Sequence, residues 1–408
     1  MNKFLKEFQD RGYYYQCTDD NGLTKILNNQ KIKAYIGFDC TAESLHVGSL
    51  LQIMCLRLLQ KYGHQPIVLL GGGTTRIGDP SGKDKTRKIL DEEKIEKNIE
   101  NIEQILKKFL ITDNKSTSPI FVNNYDWLKN LNYISFLRDI GKHFTINKML
   151  SFDSVKLRLE REQSLSYMEF NYMILQAYDF LELSNKHNCL LQIGGSDQWG
   201  NIVNGVELIK KHSSKEVFGL TTPLITLASG AKMGKTESGA IWLDKNLVSP
   251  YEYWQFWRNV DDRDLIKFLK IFTDISVEEI EKRKNDNVND LKILLANNAT
   301  AMLHGEEDSK KSFEQAKKIF SENSSDEGLP SFIVSKNKLK NKTLSDLILS
   351  AKLESSKSEI KRLIKNNGIK INNQRIEDDL PLSKINFDNK NYFKLSIGKK
   401  KHFKIEIN

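Results

Sequence analysis

Hydrophobic residues follow two different periods along the first half of the chain. Short runs of β-branched, aromatic and aliphatic residues predict buried strands at 35–38, 65–70, 120–122 and 190–193. Between them, apolar side chains recur at helical spacing over residues 47–58, 91–110 and 170–183. This alternation of strands and helices is typical of an open α/β sheet.

The second half of the chain shows a different pattern. Residues 250–320 predict a helical region, and the aromatic cluster at 251–257 favours a core role over a base-stacking platform. A polar stretch at 321–328 is typical of a linker. Beyond it, two short helices near 343–349 and 356–364 precede a hairpin-like stretch and two terminal strands near 392–397 and 402–407. We therefore predict a small α+β domain at the end.

Composition limits the class of protein. The chain has 408 residues, 39% hydrophobic and 28% charged, which suits two or three domains with sizeable cores. It contains no run of about 18 uncharged apolar residues that could span a membrane, and residues 1–7 lack the apolar core of a secretion signal. We therefore expect a cytoplasmic protein that makes no membrane contact. The four cysteines form no Cys-x-x-Cys pair, so neither a zinc site nor a disulfide framework is indicated.

The positive charge is concentrated near the end of the chain. From Ser331 onwards there are 18 lysines and arginines against 8 aspartates and glutamates, which is a net charge of +10. The net charge of the whole chain is +9. The first 330 residues thus have a net charge of −1. A basic surplus of this kind predicts a surface that binds a polyanion, although a lysine-rich composition also follows from codon bias or solubility.

Two stretches carry candidate chemistry. Residues 35–50 predict a strand, a tight turn and a helix, with His46 in the turn and Gly48 two residues later. The amino end of such a helix favours an anion, although a lone histidine there can also serve only to cap the helix. Residues 231–239 place Lys232 and Lys235 in a loop rich in glycine and serine. Taken alone, that loop could be a solvated turn.

Together, the two stretches resemble the two signatures of class I aminoacyl-tRNA synthetases. The segments 71–83, 170–180 and 192–201 lie between them and resemble, in order and spacing, those of bacterial-type tyrosyl-tRNA synthetases. The resemblance covers nearly the whole chain. The sequence departs from the family at Cys40, Ser49 and Gly234, which replace the more frequent proline, histidine and serine.

The resemblance implies a domain organisation. A Rossmann-like catalytic domain with an inserted dimerisation connection would span 1–222, and the lysine loop with a helical anticodon-side domain would span 223–322. A linker at 323–340 would lead to an S4-like RNA-binding domain at 341–408. The resemblance also implies a homodimer.

Site residues are likewise implied by the resemblance. The residues that would meet the phosphates of ATP are His46, Thr41, Lys83, Arg87, Lys232, Lys235 and Thr236. The residues that would bind tyrosine are Tyr35, Asp79, Tyr172, Gln176 and Asp179, with Tyr35 and Asp179 at the phenolic hydroxyl. The residues that would bind the adenylate are Gly37, Asp39, Gly48, Gly195, Asp197, Gln198 and Lys235, with Asp39 also orienting the amino group of tyrosine.

The implied reaction has two steps. L-tyrosine attacks ATP to give tyrosyl-adenylate and pyrophosphate, and the tyrosyl group then passes to the 3′ end of tRNA(Tyr). Mg²⁺ would arrive with ATP, and no protein-bound metal is expected. The alternatives are a tryptophanyl-tRNA synthetase, an RNA-binding protein built on a decayed synthetase, and an enzyme that adenylates another small carboxylate.

Overall fold

The structure, a computed structural model, divides into two compact units. The first comprises Met1–Lys310 and the second Lys311–Asn408. The residues that the structure describes are 2–79, 90–230, 233–236, 239–320, 331–334, 342–351, 353–354, 356–372, 374–382, 385, 392–398 and 401–407. Within these ranges, no helix is long and apolar enough to cross a membrane.

The strands and helices follow the chain in a mixed order. The strands are β1 (Gln16–Cys17), β2 (Lys33–Phe38), β3 (Gln65–Leu70), β4 (Ile120–Asn123), β5 (Cys189–Gly195), β6 (Phe218–Thr222), β7 (Lys235–Thr236), β8 (Gly239–Ala240), β9 (Ser331–Val334), β10 (Ile369–Ile371), β11 (Gln374–Arg375), β12 (Tyr392–Ile397) and β13 (Lys401–Ile407). The helices are α1 (Lys3–Asp10), α2 (Asp20–Asn29), α3 (Leu50–Lys61), α4 (Gly72–Thr75), α5 (Glu92–Phe109), α6 (Tyr125–Leu128), α7 (Tyr133–Asp139), α8 (Ile146–Ser151), α9 (Asp153–Glu160), α10 (Tyr167–His187), α11 (Trp199–Ser213), α12 (Pro250–Arg258), α13 (Asp262–Phe272), α14 (Val277–Arg283), α15 (Val288–His304), α16 (Glu306–Phe320), α17 (Leu344–Ser350) and α18 (Lys357–Lys365).

A six-stranded sheet organises the first unit. Its strand order is β1-β6-β5-β2-β3-β4, in which β2 to β6 are parallel and β1 pairs antiparallel with β6 at the edge. Strands β3 and β4 follow β2 on one side of the sheet, whereas β5 and β6 lie on the other side of β2. The order of the strands therefore reverses at β2. In open α/β sheets, ligands bind outside the carboxyl ends of the strands at such a reversal. The ends of β2 and β5 are therefore the expected place for a site.

Helix α10 packs on the sheet beside this reversal. Its first turn has a capping box, in which Ser166 and Glu169 each bond the backbone N–H of the other. Glu169 also pairs with Arg158, and both side chains are buried. Farther along the helix, Phe180 lies with its ring centroid 5.3 Å from that of Tyr35 in β2. This packing fixes which face of α10 meets the sheet.

The later helices of the first unit bury the aromatic cluster. Tyr253, Trp254 and Trp257 are almost completely buried, and the Trp257 ring packs on Phe268 and Phe272 of α13. The segment thus belongs to the apolar core, in agreement with the interpretation that the sequence favours.

Arg11 ties the start of the chain to α13. Its guanidinium donates to the carbonyl oxygens of Lys270 at 2.8 Å, Thr273 at 2.9 Å and Ile275 at 3.0 Å. The same side chain pairs with Glu7 at 2.7 Å. Carbonyls in the last turn of a helix lack intrahelical partners, so this buried arginine supplies donors to the end of α13.

The second unit has its own sheet and core. The strand order is β11-β10-β12-β13-β9, with β9 parallel to β13 and the other pairs antiparallel. Helices α17 and α18 bury Leu347, Ile348 and Ile360 in the same apolar cluster as the strands. Lys361 and Arg362 of α18 are exposed.

The predicted α/β class is confirmed, with a parallel sheet followed by helices and a small α+β unit. The strands β1, β6, β7, β8 and β9 are absent from the sequence prediction. Each is short, and β1 and β9 are edge strands of their sheets, where pairing with a partner decides the structure more than composition does. The predicted linker 323–340 falls largely outside the described residues.

Candidate active site

A cavity of about 260 Å³ opens at the carboxyl ends of β2 and β5. The residues that line it are Tyr35, Ile36, Gly37, Phe38, Asp39, Gln52, Leu69, Gly71, Thr74, Asp79, Tyr172, Gln176, Asp179, Gln192, Ile193, Gly194, Gly195 and Gln198. They come from β2, α3, β3, α4, α10 and β5 and from the turns that follow the strands. The cavity therefore lies at the reversal in strand order where the topology predicts a ligand.

Two polar groups meet at the buried end of the cavity. Tyr35 is 1% exposed, and its hydroxyl has no hydrogen-bond partner among the described residues. The carboxylate of Asp179, also 1% exposed, accepts from Asn124 Nδ2 at 2.9 Å and from Trp127 Nε1 at 2.8 Å. A buried hydroxyl without a partner is unfavourable unless a ligand satisfies it. This end of the cavity is therefore suited to a ligand hydroxyl.

Burial dominates the electrostatics of this pair. It raises the pKa of the Asp179 carboxyl to about 7, against the lowering effect of the hydrogen bonds from Asn124 and Trp127. Burial also raises the pKa of the Tyr35 hydroxyl well above its usual range, and the charge of Asp179 acts in the same direction. Tyr35 thus stays protonated at neutral pH and can donate a hydrogen bond.

Carboxylates and amides line the middle of the cavity. The hydroxyl of Tyr172 is 3.4 Å from both carboxylate oxygens of Asp39. Gln198 donates to Asp79 at 3.0 Å, while Asn201 donates to Gln176 at 2.9 Å and to Gln198 at 3.0 Å. Two carboxylates in one cavity attract a cation such as an ammonium group. The amides hold Asp79, Gln176 and Gln198 in one arrangement.

His46 begins the helical segment after β2. Its ring Nδ1 accepts from the backbone N–H of Gly48 at 2.9 Å and caps a short 3₁₀ turn, Val47–Ser49, which continues into α3. A neutral ring with Nδ1 as acceptor carries its proton on Nε2. His46 therefore caps the helical segment, which is one of the two roles considered from the sequence. The same hydrogen bond orients the ring.

The lysine loop lies against the same turn. The backbone N–H of Val47 donates to Ile241 O at 2.9 Å, and that of Ile241 donates to Gly234 O at 3.3 Å. The ring of Trp242 contacts the His46 ring edge-on with centroids 6.1 Å apart. Strands β7 and β8 form a hairpin within the loop. The structure thus brings together the two signature stretches, which are almost 200 residues apart in sequence.

The predicted site residues fall into three groups. Nine line the cavity: Tyr35, Gly37, Asp39, Asp79, Tyr172, Gln176, Asp179, Gly195 and Gln198. Four lie beside it or at the helix start: Thr41 and Asp197, both exposed, with His46 and Gly48. Lys83, Arg87 and Lys232 lie outside the described residues, and Lys235 and Thr236 are described only by their backbone in β7.

Several residues at the site are not predicted from the sequence. Asn124 and Trp127 hold Asp179 in place, although the sequence suggests a phenolic hydroxyl as the partner of that carboxylate. Asn124 also accepts from Gly73 N at 2.7 Å and donates to Thr74 at 3.0 Å. A polar run directly after β4 is the signal that could have identified these residues, because loops at the carboxyl ends of strands carry ligand contacts. Gln192 faces the cavity from β5.

The described part of the chain contains no cluster of side chains that could hold a metal. Over the described ranges, no group of three or more His, Cys, Asp and Glu side chains has the arrangement of a metal site. All four cysteines are free thiols. Cys40, in the turn after β2, is buried, and burial raises the pKa of its thiol to about 12, so it behaves as a core residue.

Comparison with known proteins gives consistent matches over the whole chain. Residues 27–321 match the family described as tRNA synthetases class I (W and Y), and residues 322–405 match the Tyrosine--tRNA ligase SYY-like C-terminal domain. A protein of Pelagibacter ubique (strain HTCC1062) named Tyrosine--tRNA ligase is 72% identical over 408 residues, with 100% of both chains covered. One of the same name from Wolbachia sp. subsp. Brugia malayi (strain TRS) is 52% identical, with 100% of this chain and 99% of the relative covered.

A solved structure shares the fold of the first unit. The C-terminally truncated mitochondrial tyrosyl-tRNA synthetase of Aspergillus nidulans is 29% identical and superposes with a TM-score of 0.70. The match covers 78% of this chain and 95% of that chain.

The raised pKa of Asp179 predicts a pH-dependent stability. The unfolded carboxyl ionises near pH 4, whereas the folded one ionises only near pH 7. The folded protein therefore binds more protons in this window, and its free energy of unfolding falls as pH rises from 4 to 7. Relative to Asp179→Asn, which cannot ionise, the wild type should lose up to roughly 4 kcal/mol across the window. Urea unfolding followed by tryptophan fluorescence measures this difference, and parallel pH profiles for the two proteins would contradict it.

Proposed function

Because the chain belongs to the class I tRNA synthetases of the tryptophan and tyrosine family, we propose that it ligates L-tyrosine to tRNA(Tyr) through a tyrosyl-adenylate. The observation that carries the proposal is the buried pair at the end of the cavity, Tyr35 and Asp179. A phenolic hydroxyl satisfies both groups, since it donates to the Asp179 carboxylate and accepts from the Tyr35 hydroxyl. An indole has a single N–H donor and no acceptor, so tryptophan would leave the hydroxyl of Tyr35 unpaired.

The middle of the cavity would hold the other end of tyrosine. The substrate ammonium group would lie between the carboxylates of Asp39 and Asp79, with Tyr172 and Gln176 as further hydrogen-bond partners. The hydrogen bonds among Asp79, Gln198 and Gln176 through Asn201 support this assignment, because they fix the acceptors before tyrosine binds. Such preorganisation reduces the entropic cost of binding.

ATP would bind from the mouth of the cavity toward the helix start. Gly37, Gly48 and Gly195 would let the adenylate approach the backbone, and Asp197 would accept from the ribose hydroxyls, with Gln198 beside it. His46 and Thr41 would contact the departing phosphates. Lys83, Arg87, Lys232 and Lys235 would bind the pyrophosphate, with Thr236 closing the loop. Mg²⁺ would enter as part of the ATP substrate, bound to its phosphates.

The chemistry requires positioning more than acid–base catalysis. The carboxylate of tyrosine is already ionised at neutral pH, and it attacks the α-phosphate while the bond to pyrophosphate breaks. Negative charge increases on the departing phosphates, where His46 and the lysines supply hydrogen bonds and positive charge. Orientation of the two substrates in one cavity accounts for much of the remaining rate. Catalysis of phosphoryl transfer in general depends on these two effects, positioning and electrostatic stabilisation.

The other parts of the chain would serve tRNA binding and assembly. The basic surplus after residue 330 and the exposed Lys361 and Arg362 support tRNA contact by an S4-like domain at 341–408. Strand β9, which lies within the predicted linker 323–340, adds an edge strand to the sheet of that domain. The helical region at 223–322 would lie on the anticodon side of the tRNA, and the catalytic domain would span 1–222. We place the enzyme in the cytoplasm, where charged tRNA is used.

A homodimer would form through the connection that follows β4. An apolar cavity of about 450 Å³ is bordered there by α6, α7 and α10. Tyr133, Ile134 and Tyr167 expose 58%, 70% and 67% of their surface. Large apolar side chains exposed together are typical of a protein interface, which supports assembly with a second copy.

ATP–pyrophosphate exchange tests the proposed activity. Of the twenty amino acids, only tyrosine should support exchange, and Lys235→Ala should reduce its rate by about 100-fold or more, as expected when a group that stabilises transition-state charge is removed. Lys25→Ala, which removes an exposed lysine of α2, serves as the matched control and should behave as wild type. Exchange with tryptophan would indicate a tryptophanyl-tRNA synthetase of the same family. Exchange with no amino acid would favour an RNA-binding protein.

Tyr35→Phe tests the role of the buried hydroxyl. This hydroxyl has no partner in the described part of the chain, so its removal should leave the melting temperature unchanged or raise it. The kcat/KM for tyrosine should fall about tenfold, which corresponds to one lost hydrogen bond, while that for phenylalanine stays the same or rises.

Tyr13→Phe is the matched control for this variant. Tyr13 is equally buried, but its hydroxyl donates to Ile271 O at 2.8 Å. The control should lose stability and keep its preference for tyrosine. If Tyr35→Phe retained the full preference for tyrosine over phenylalanine, the assignment of the buried pair would be wrong.

Truncation after Glu322 tests the role of the basic end. The shortened protein should form tyrosyl-adenylate at nearly the wild-type rate, because the cavity belongs to the first unit. Charging of tRNA should weaken and lose part of its dependence on salt concentration, since phosphate contacts release counterions. Aminoacylation at several salt concentrations measures the change. Equal loss of both activities would contradict this division of labour.

A further inference from the structure

In this chain, the lysine loop contacts the His46 turn at Gly234, where the packing leaves no room for a β-carbon. Gly234 has φ of +92°, a conformation that disfavours side chains. A β-carbon placed on Gly234 would lie 2.6 Å from Nδ1 of His46 and 3.0 Å from the backbone nitrogen of Gly48. Real β-carbons essentially never lie less than 3.0 Å from another atom, so the first of these contacts would force a displacement. The backbone of Gly234 therefore packs directly on the turn.

These two atoms, Nδ1 of His46 and the backbone nitrogen of Gly48, share a hydrogen bond. His46 Nδ1 accepts from the Gly48 N–H at 2.9 Å, and this bond fixes the plane of the ring. A methyl group at 234 would occupy the space beside that bond, so either the ring would turn or the loop would withdraw. The opposite side of the contact is equally tight, because a β-carbon on Gly48 would meet the His46 ring at 2.5 Å and Met233 O at 3.0 Å.

Backbone bonds hold the two segments in this register. Gly234 O accepts from Ile241 N at 3.3 Å, and Ile241 O accepts from Val47 N at 2.9 Å. Met233, which is buried, donates its N–H to Ile225 O at 3.2 Å. The loop backbone thus cannot shift at Gly234 without disturbing bonds to the residue that follows His46.

We propose that Gly234 is a positioning residue, through which the lysine loop sets the orientation of the His46 ring. The proposal rests on the role given above to His46 at the departing phosphates. When the loop lies against the turn, Gly234 confines the ring to the orientation that its bond to Gly48 selects. The contact at Gly234 thus links the backbone of the lysine loop to the orientation of the His46 ring.

A second glycine provides the matched control. Gly230 has φ of +82°, close to that of Gly234, but a β-carbon there would have no heavy atom of the described residues within 4 Å. Alanine at either position meets the same backbone strain. Only alanine at 234 meets His46. The difference between Gly234→Ala and Gly230→Ala therefore reports the contact with the His46–Gly48 turn.

The first measurement is tyrosine-dependent ATP–pyrophosphate exchange on both variants. Gly234→Ala should lower kcat by about 10- to 100-fold, the range expected when a catalytic group is displaced by about 1 Å. Its KM for tyrosine should stay near the wild-type value, because the tyrosine end of the cavity is untouched. Gly230→Ala should keep the wild-type kcat. Equal kcat values for the two variants would overturn the proposal.

A double-mutant cycle separates positioning from a general effect on the loop. His46→Ala removes the ring and with it the closest contact of the methyl group, so adding Gly234→Ala should lower kcat by a much smaller factor than it does in the wild type. If the factor lost on Gly234→Ala were the same with and without the histidine, the glycine would act independently of it and the proposal would be wrong.

A spectroscopic readout keeps the inference distinct from the proposed function. The Cε1–H resonance of His46, assigned by its loss in His46→Ala, should shift in Gly234→Ala and not in Gly230→Ala. An unshifted resonance in Gly234→Ala would overturn the inference even if tyrosine exchange were confirmed. If the wild type showed no exchange, the proposed function would fail, and the resonance would still decide whether Gly234 holds the ring.

Discussion

The burial of the Asp179 carboxylate is the constraint on which the cavity depends. A carboxylate removed from water needs donors, and Asn124 and Trp127 provide them from the segment that follows β4. Asn124 also bonds Thr74, which in turn donates to Asp39 at 3.2 Å. A connected set of hydrogen bonds therefore runs from the buried end of the cavity to its middle. The requirement of one buried carboxylate thus fixes the buried end of the cavity and, through Asn124 and Thr74, the position of Asp39.

The two ends of the site work by different physics. In the proposed function, the buried end at Tyr35 and Asp179 would select a ligand by leaving specific polar atoms unpaired when the wrong one binds. The phosphate end would use cations and a helix start, whose effect is strong for any polyphosphate. The proposal thus assigns selectivity for the amino acid and activation of ATP to separate regions.

The sequence predicts the elements with strong periodicity and misses those decided by distant partners. Strand β3 and helix α5 agree with prediction to within about a residue, because their hydrophobic patterns are long and regular. Strand β9 lies at a sheet edge and pairs only with β13, so its own composition gives little signal. At the site, Tyr35 and Asp179 are predicted through the resemblance to a family, whereas Asn124 and Trp127 are not predicted. Their role depends on contacts with a residue more than 50 positions away.

The bonds from Arg11 to the end of α13 have a consequence for how the first unit folds. They join residues about 260 positions apart, so they close a loop that includes most of the first unit. Closing a loop of this length costs more conformational entropy than forming a local contact does. The end of α13 thus depends on a residue near the start of the chain, and removal of the first residues would leave those carbonyl groups without their donors.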